Sequence, residues 1–138
     1  MSAEAKHEPW TIHLGELDRK MGIEVVEQSV ERVITRMPVE GNTQSLGRLH
    51  GGATAALAEA TGSWAGMIHA STRGKVCVGV DLNITHHRGL RGGEVTAVAT
   101  PLHAGSRIAS YQVIVTGPDG ELVASARITN LLIDPERH

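Results

Sequence analysis

The sequence predicts an α+β domain in which one long helix packs on an antiparallel sheet. Residues Gly51 to about Ser71 form one run of apolar and small side chains, the pattern of a single buried helix. Six segments rich in Val and Ile flank it, two before and four after. Short turn-forming clusters connect most of them, so consecutive strands are expected to pair antiparallel.

The elements follow in order. Residues 1–9 read as a polar tail ahead of a single domain spanning 1–138. Trp10 to Met21 reads as a short helix, with Ile12, Leu14, Leu17 and Met21 apolar and Gly22 as the stop. Ile23 to Gln28 and Val30 to Val39 suit two paired strands, the second ended or edged by Pro38. Gly41 to Gly47 has loop composition, and the long helix that follows closes at Thr72-Arg73-Gly74. Lys75–His86, Gly93–Leu102, Arg107–Thr116 and Glu121–Ile133 are the remaining strands, the last two joined by Gly117-Pro118-Asp119-Gly120.

Composition narrows the function. The 138 residues suffice for one core, and the 41% apolar and 20% charged shares are globular. A net charge of −2 without a basic run gives no footprint for nucleic acid. No apolar run reaches membrane-spanning length, and the start does not read as a signal peptide, so the cytoplasm is the expected compartment. One cysteine excludes an internal disulfide; Cys77, in a Val-rich strand, reads as an inert core thiol. The 8 histidines show no i, i+4 pair, so no metal site is expected. His86 and His87 should point to opposite faces of a strand, so at most one lines a site. With aromatics at 2% and no Phe, the core must rest on small and aliphatic residues, and self-association would help to stabilise it.

The helix carries the functional signal. Glu59 is its only charge between Gly51 and Ile68, and no cation lies within one turn. A buried carboxylate is costly without a partner or a task, and burial would raise its pKa toward the range of a general base or acid. The competing reading pairs Glu59 with an Arg of the sheet or turns it to solvent. At the helix start, Arg48-Leu49-His50-Gly51-Gly52 contains none of the preferred side-chain caps. Bare glycine amides there would suit an oxyanion or a polarised carbonyl. Gly51 and Glu59 are eight residues apart, or about 12 Å of helix. One carbonyl cannot touch both, so a joint role requires two antiparallel helices from two chains.

His50-Gly51-Gly52 followed by Glu59 resembles the hotdog-fold acyl-CoA thioesterases. Within these it is similar to the PaaI-like branch of the Arthrobacter-type 4-hydroxybenzoyl-CoA, the 1,4-dihydroxy-2-naphthoyl-CoA and the enterobactin-proofreading thioesterases. Gln44, Ser63, Val78-Gly79-Val80-Asp81-Leu82-Asn83 with His86 and Arg88, and Pro101-Leu102-His103-Ala104-Gly105-Ser106-Arg107 extend the likeness from about Met21 to Ile133.

The resemblance implies a helix wrapped by a curved sheet, in dimers with shared sites and usually in tetramers. It implies hydrolysis of an acyl-CoA thioester, aromatic or aryl-like by preference, with coenzyme A as part of the substrate and no cofactor. Glu59 would be nucleophile or general base. The Gly51 amide would polarise the carbonyl, Gln44 orient the acyl end or water, Ser63 position the Glu or water, and His50 bond near the thioester. Gly79 and His86 would line the site, while Arg88, His103, Ser106 and Arg107 would follow the nucleotide arm, as Arg and turn amides suit phosphates. A hotdog hydratase or a non-catalytic acyl-CoA-binding module are the alternatives.

Overall fold

The computed structural model describes residues 8–136. Of the expected 1–9 tail, residues 1–7 lie outside that range, as do His7 and His138. In chain order the elements are α1 (Glu16–Lys20), β1 (Glu24–Gln28), β2 (Val33–Pro38) and α2 (Gly51–Ser71). They are followed by β3 (Val76–His86), β4 (Glu94–Ala104), β5 (Ile108–Thr116) and β6 (Leu122–Ile133). The six strands make one antiparallel sheet, β1-β2-β4-β5-β6-β3. The helix α2 packs across one face, against β2 through β6. No helix among the described residues is long and apolar enough to cross a membrane.

The structure departs from three expectations. The helix expected over Trp10–Met21 shrinks to α1, because tertiary partners take the backbone before it. The Trp10 amide donates to Ser71 Oγ at 2.8 Å and the Ile12 amide to Gln28 Oε1 at 3.0 Å. The second strand starts at Val33 rather than Val30, since Ser29 Oγ accepts from the Glu31 and Arg32 amides and makes a tight turn. Consecutive pairing holds for β1–β2, β4–β5 and β5–β6 but fails for β3, which crosses the sheet to pair with β6. One flank of β3 is therefore an open edge, where Val78 and Val80 are 45% and 56% exposed.

Period-two alternation sets which side chains meet α2. Val95, Ala97 and Ala99 of β4, with Tyr111, Val113 and Val115 of β5, are buried beneath it. The buried Tyr111 hydroxyl donates to the Ala65 carbonyl at 3.2 Å, and burial pushes its pKa up to about 12. Thr61 Oγ1 and Thr35 Oγ1 meet at 2.8 Å, satisfying two buried hydroxyls.

Close approach of helix and sheet depends on glycine. A Cβ on Gly62 would overlap Ile128 Cγ2, and one on Gly66 would stand 2.5 Å from Asn130 Nδ2. Gly62→Val therefore forces a methyl-bearing carbon into the fully buried Ile128. Overpacking of this kind costs about 1–3 kcal/mol, and a β-branched residue brings no compensating helix propensity as strong as that of Ala. Urea unfolding should show that loss with an unchanged m-value.

Candidate active site

The carboxylate of Glu59 is half-buried on the face of α2 that meets β3. Ser63, one turn on, donates its hydroxyl to Oε2 at 3.2 Å. The same oxygen stands 2.5 Å from where a Gly79 Cβ would be. Gly79 borders an irregularity in β3, between Gly79 and Asp81, where the register with β6 shifts. The absent side chain and the shifted strand together make room for the carboxylate. Among the described residues no cation pairs with Glu59, so the ion-pair reading of this residue fails. Its setting is the sheet's open edge, since β3 is the edge strand.

At the start of α2 the helix is capped, contrary to the expectation from residue type. His50 is the N-cap, and its Nδ1 accepts from the Gly52 amide at 2.8 Å. The imidazole is therefore neutral, with its proton on Nε2. The Ala53 and Thr54 amides both reach the His50 carbonyl, at 3.0 and 3.1 Å. Among the described residues, Gly51 is the amide of this first turn left without a partner. The helix start thus offers one open amide rather than a pair. A Cβ on Gly51 would stand 3.2 Å from His86 Nε2, so the glycine lets the imidazole come up against the helix end.

Gln44 sits nearby in the preceding loop. Its Oε1 accepts from the Leu46 amide at 2.5 Å and the Arg48 amide at 3.3 Å. Both neighbours are N–H groups, which fixes the orientation of the side-chain amide. Among the described residues the open end of Gln44 is thus its NH2 group, a donor suited to a carbonyl or water oxygen.

Gln44, Gly51, Thr54, His86, His87 and Arg88 line one cleft of about 290 Å3. Both histidines line it, against the expectation of one. β3 ends at His86, so strand alternation no longer separates them, and His87 Nε2 turns to Ser125 Oγ at 2.9 Å. His103, Ser106 and Arg107 line a second cleft, about 500 Å3, with Ile108 and Leu131. Within one chain Arg88 therefore lies apart from the other three residues expected to share a nucleotide arm. Glu59 lines neither cleft, and His50 faces a third hollow, of about 340 Å3, beside Leu17, Met21 and Ala56. Cys77 is half-buried, donates to the Ser63 carbonyl at 3.6 Å, and has its pKa pushed up to about 11 by burial. A thiol so protonated is a poor nucleophile.

The His50 cap was hidden because histidine is not a preferred capping residue, and the sole sequence signal was its place before the helix. His50→Ala should lower stability by about 0.5–2 kcal/mol, the usual cost of a lost N-cap, in a urea titration. An unchanged midpoint would remove the capping role.

Residues 46–124 match the sequence profile of the thioesterase superfamily. A Deinococcus radiodurans protein that carries an esterase name is 42% identical over 115 residues, 83% of this chain and 72% of its own length. Thioesterase HI1161 of Haemophilus influenzae superposes with a TM-score of 0.82 at 36% identity, over 88% of this chain and 85% of that one. A mutant of thioesterase PA1618 from Pseudomonas aeruginosa gives 0.80 at 36% identity, covering 85% of each chain. A matched profile over more than half of the chain, together with one central helix laid on a six-stranded antiparallel sheet, places this protein in the thioesterase superfamily with the hotdog fold.

Proposed function

We propose that this chain hydrolyses an acyl-CoA thioester to the free acid and CoA, in the cytoplasm, as a member of the PaaI-like branch that favours aromatic or aryl-like acyl groups. The observation that carries the reading is Glu59, a half-buried carboxylate with a hydroxyl partner and, among the described residues, no cation paired with it. Ser63 engages Oε2 and leaves Oε1 for chemistry. As a general base Glu59 takes a proton from water, whose oxygen attacks the carbonyl carbon. As a nucleophile it attacks directly, and water then cleaves the resulting anhydride. In both routes the C–S bond breaks and the CoA sulfur leaves as thiolate, to be protonated from solvent. The Gly51 amide and the Gln44 NH2 are the donors for the carbonyl oxygen as it gains charge.

Two solved structures of protein SAV0944 from Staphylococcus aureus, one of them named a thioesterase enzyme, carry alanine at a glutamine and at a glutamate. Those two positions are 15 residues apart, the separation of Gln44 and Glu59 here. The match supports a joint role for the pair.

The site is proposed to be completed by a second copy of the chain. Glu59 lies under Gly79 near one end of β3, and Gly51 lies against His86 at the other end. Antiparallel pairing of two β3 edges, centred between Leu82 and Asn83, would set Gly79 of one chain opposite His86 of the other. Glu59 would then face the partner's Gly51 amide and Gln44. Exposed Val78 and Val80 on an unpaired strand favour such pairing. Two dimers would associate further into the expected tetramer.

Glu59→Gln should lower kcat on benzoyl-CoA or phenylacetyl-CoA by about 10²–10⁴-fold with an unchanged melting temperature, since it deletes the base and keeps the shape. Gly79→Ala should act through the same carboxylate, its Cβ displacing Oε2, and lower kcat by more than tenfold. Acyl-CoA binding without thiol release by the wild type would instead support the non-catalytic module. Full activity of Glu59→Gln would refute the assignment.

A further inference from the structure

The turn that carries Ser106 and Arg107 is tied to the far end of the catalytic helix. His69, in the last turn of α2, meets the Gly105 carbonyl with its Nε2 at 2.7 Å, across 36 residues of sequence. A carbonyl only accepts, so Nε2 carries the proton and donates. The turn is otherwise short: Gly105, Ser106 and Arg107 link β4 to β5, and the Gly105 amide donates to the Ile108 carbonyl at 3.0 Å. The His103 ring lies under Gly105, with Nε2 2.5 Å from where a Cβ would stand. Glycine therefore admits the ring, and His69 holds the carbonyl of the same residue.

We propose that His69 is a positioning residue for substrate: it fixes the 105–107 turn against α2 and so sets Arg107 and Ser106 for the phosphates of the nucleotide arm. This rests on the reading that the turn receives the nucleotide end of acyl-CoA. Glu59 and His69 are ten residues apart on one rigid helix, about 15 Å of rise. The helix thus holds the carboxylate and the nucleotide turn of the same chain at a set separation, and the thioester and phosphates of one substrate span it. The Leu132 amide holds the Arg107 carbonyl at 2.8 Å, so His69 restrains the Gly105 end of the turn, and motion there would cost binding energy each time the turn was ordered around the phosphates. That cost falls on ground state and transition state alike, so it appears in KM and leaves kcat alone.

The test compares two amides that differ in reach. The Gln side chain places an NH2 near the position of His Nε2, whereas Asn stops one carbon short of it. His69→Asn should raise KM for benzoyl-CoA about fivefold or more, with kcat within twofold of wild type. Its KM for benzoyl-pantetheine, which lacks the nucleotide, should not change. His69→Gln should restore KM for benzoyl-CoA to within twofold of wild type. Arg107→Ala serves as the control for the underlying reading and should raise KM for the CoA ester only. If Arg107→Ala affects both esters equally, the nucleotide does not bind at the turn and the proposal falls with that reading. If Arg107→Ala behaves as expected but His69→Asn leaves both KM values unchanged, shifts both equally, or is matched by His69→Gln, the tether does not position the turn. Failure of His69→Asn to fold would make the bond structural and equally overturn the proposal.

Discussion

Eight residues of α-helix separate the Gly51 amide, unpartnered among the described residues, from the Glu59 carboxylate, about 12 Å of rise that no side-chain motion can close. The helix is buried and packed against five strands, so it cannot bend to bring them together. In the proposed reaction the donor for the carbonyl and the carboxylate for the water would thus belong to one chain yet could not serve one substrate within it. The rest of the architecture is arranged around that constraint. β3 leaves its neighbour in sequence and crosses to the far edge of the sheet, where it carries Gly79 beside the carboxylate and His86 beside the amide. Gly79 with the Glu59 carboxylate and His86 with the Gly51 amide thus lie along one open edge, where the proposed second copy would pair.

Small residues make this arrangement possible. Each glycine at the helix–sheet contact removes an atom where another group must stand: Ile128 at Gly62, Asn130 at Gly66, the Glu59 carboxylate at Gly79, His86 at Gly51. A core poor in aromatics follows from the same demand, because large rings would hold helix and sheet apart. The cost is modest buried area per residue, which association of copies would offset. Trp64 and Tyr111 are the buried aromatics among the described residues, and the Tyr111 hydroxyl ends on the carbonyl of Ala65, in the stretch of α2 that crosses the sheet.

Much of this was legible in the sequence. The bounds of α2 agree with the run of small and apolar residues, and β3 to β6 begin and end within two residues of the hydrophobic segments. Glu59 stood out because it is the one charge in that run, and Ser63 one turn later proved to be its partner. What escaped was set by tertiary contacts. Trp10 and Ile12 look helical by spacing but spend their amides on Ser71 and Gln28. Histidine as a helix cap has no strong compositional signature, and the crossing of β3 cannot be read from a short connection. His69 resembled any polar residue near a helix end, since its partner Gly105 lies 36 positions away.

Complementation between two inactive chains tests the shared site most directly. One chain carries Glu59→Gln, and the other carries Gln44→Ala, which removes the side-chain NH2 donor from the opposite half of the proposed site. Each variant alone should have kcat lowered about 10²-fold or more. In a mixed dimer one site would hold both lesions and the other none. Random reassortment makes about half of the dimers mixed, so up to about a quarter of wild-type activity should return. No recovery after verified subunit exchange would mean that each chain supplies its own complete site, contrary to the 12 Å separation on which this account rests.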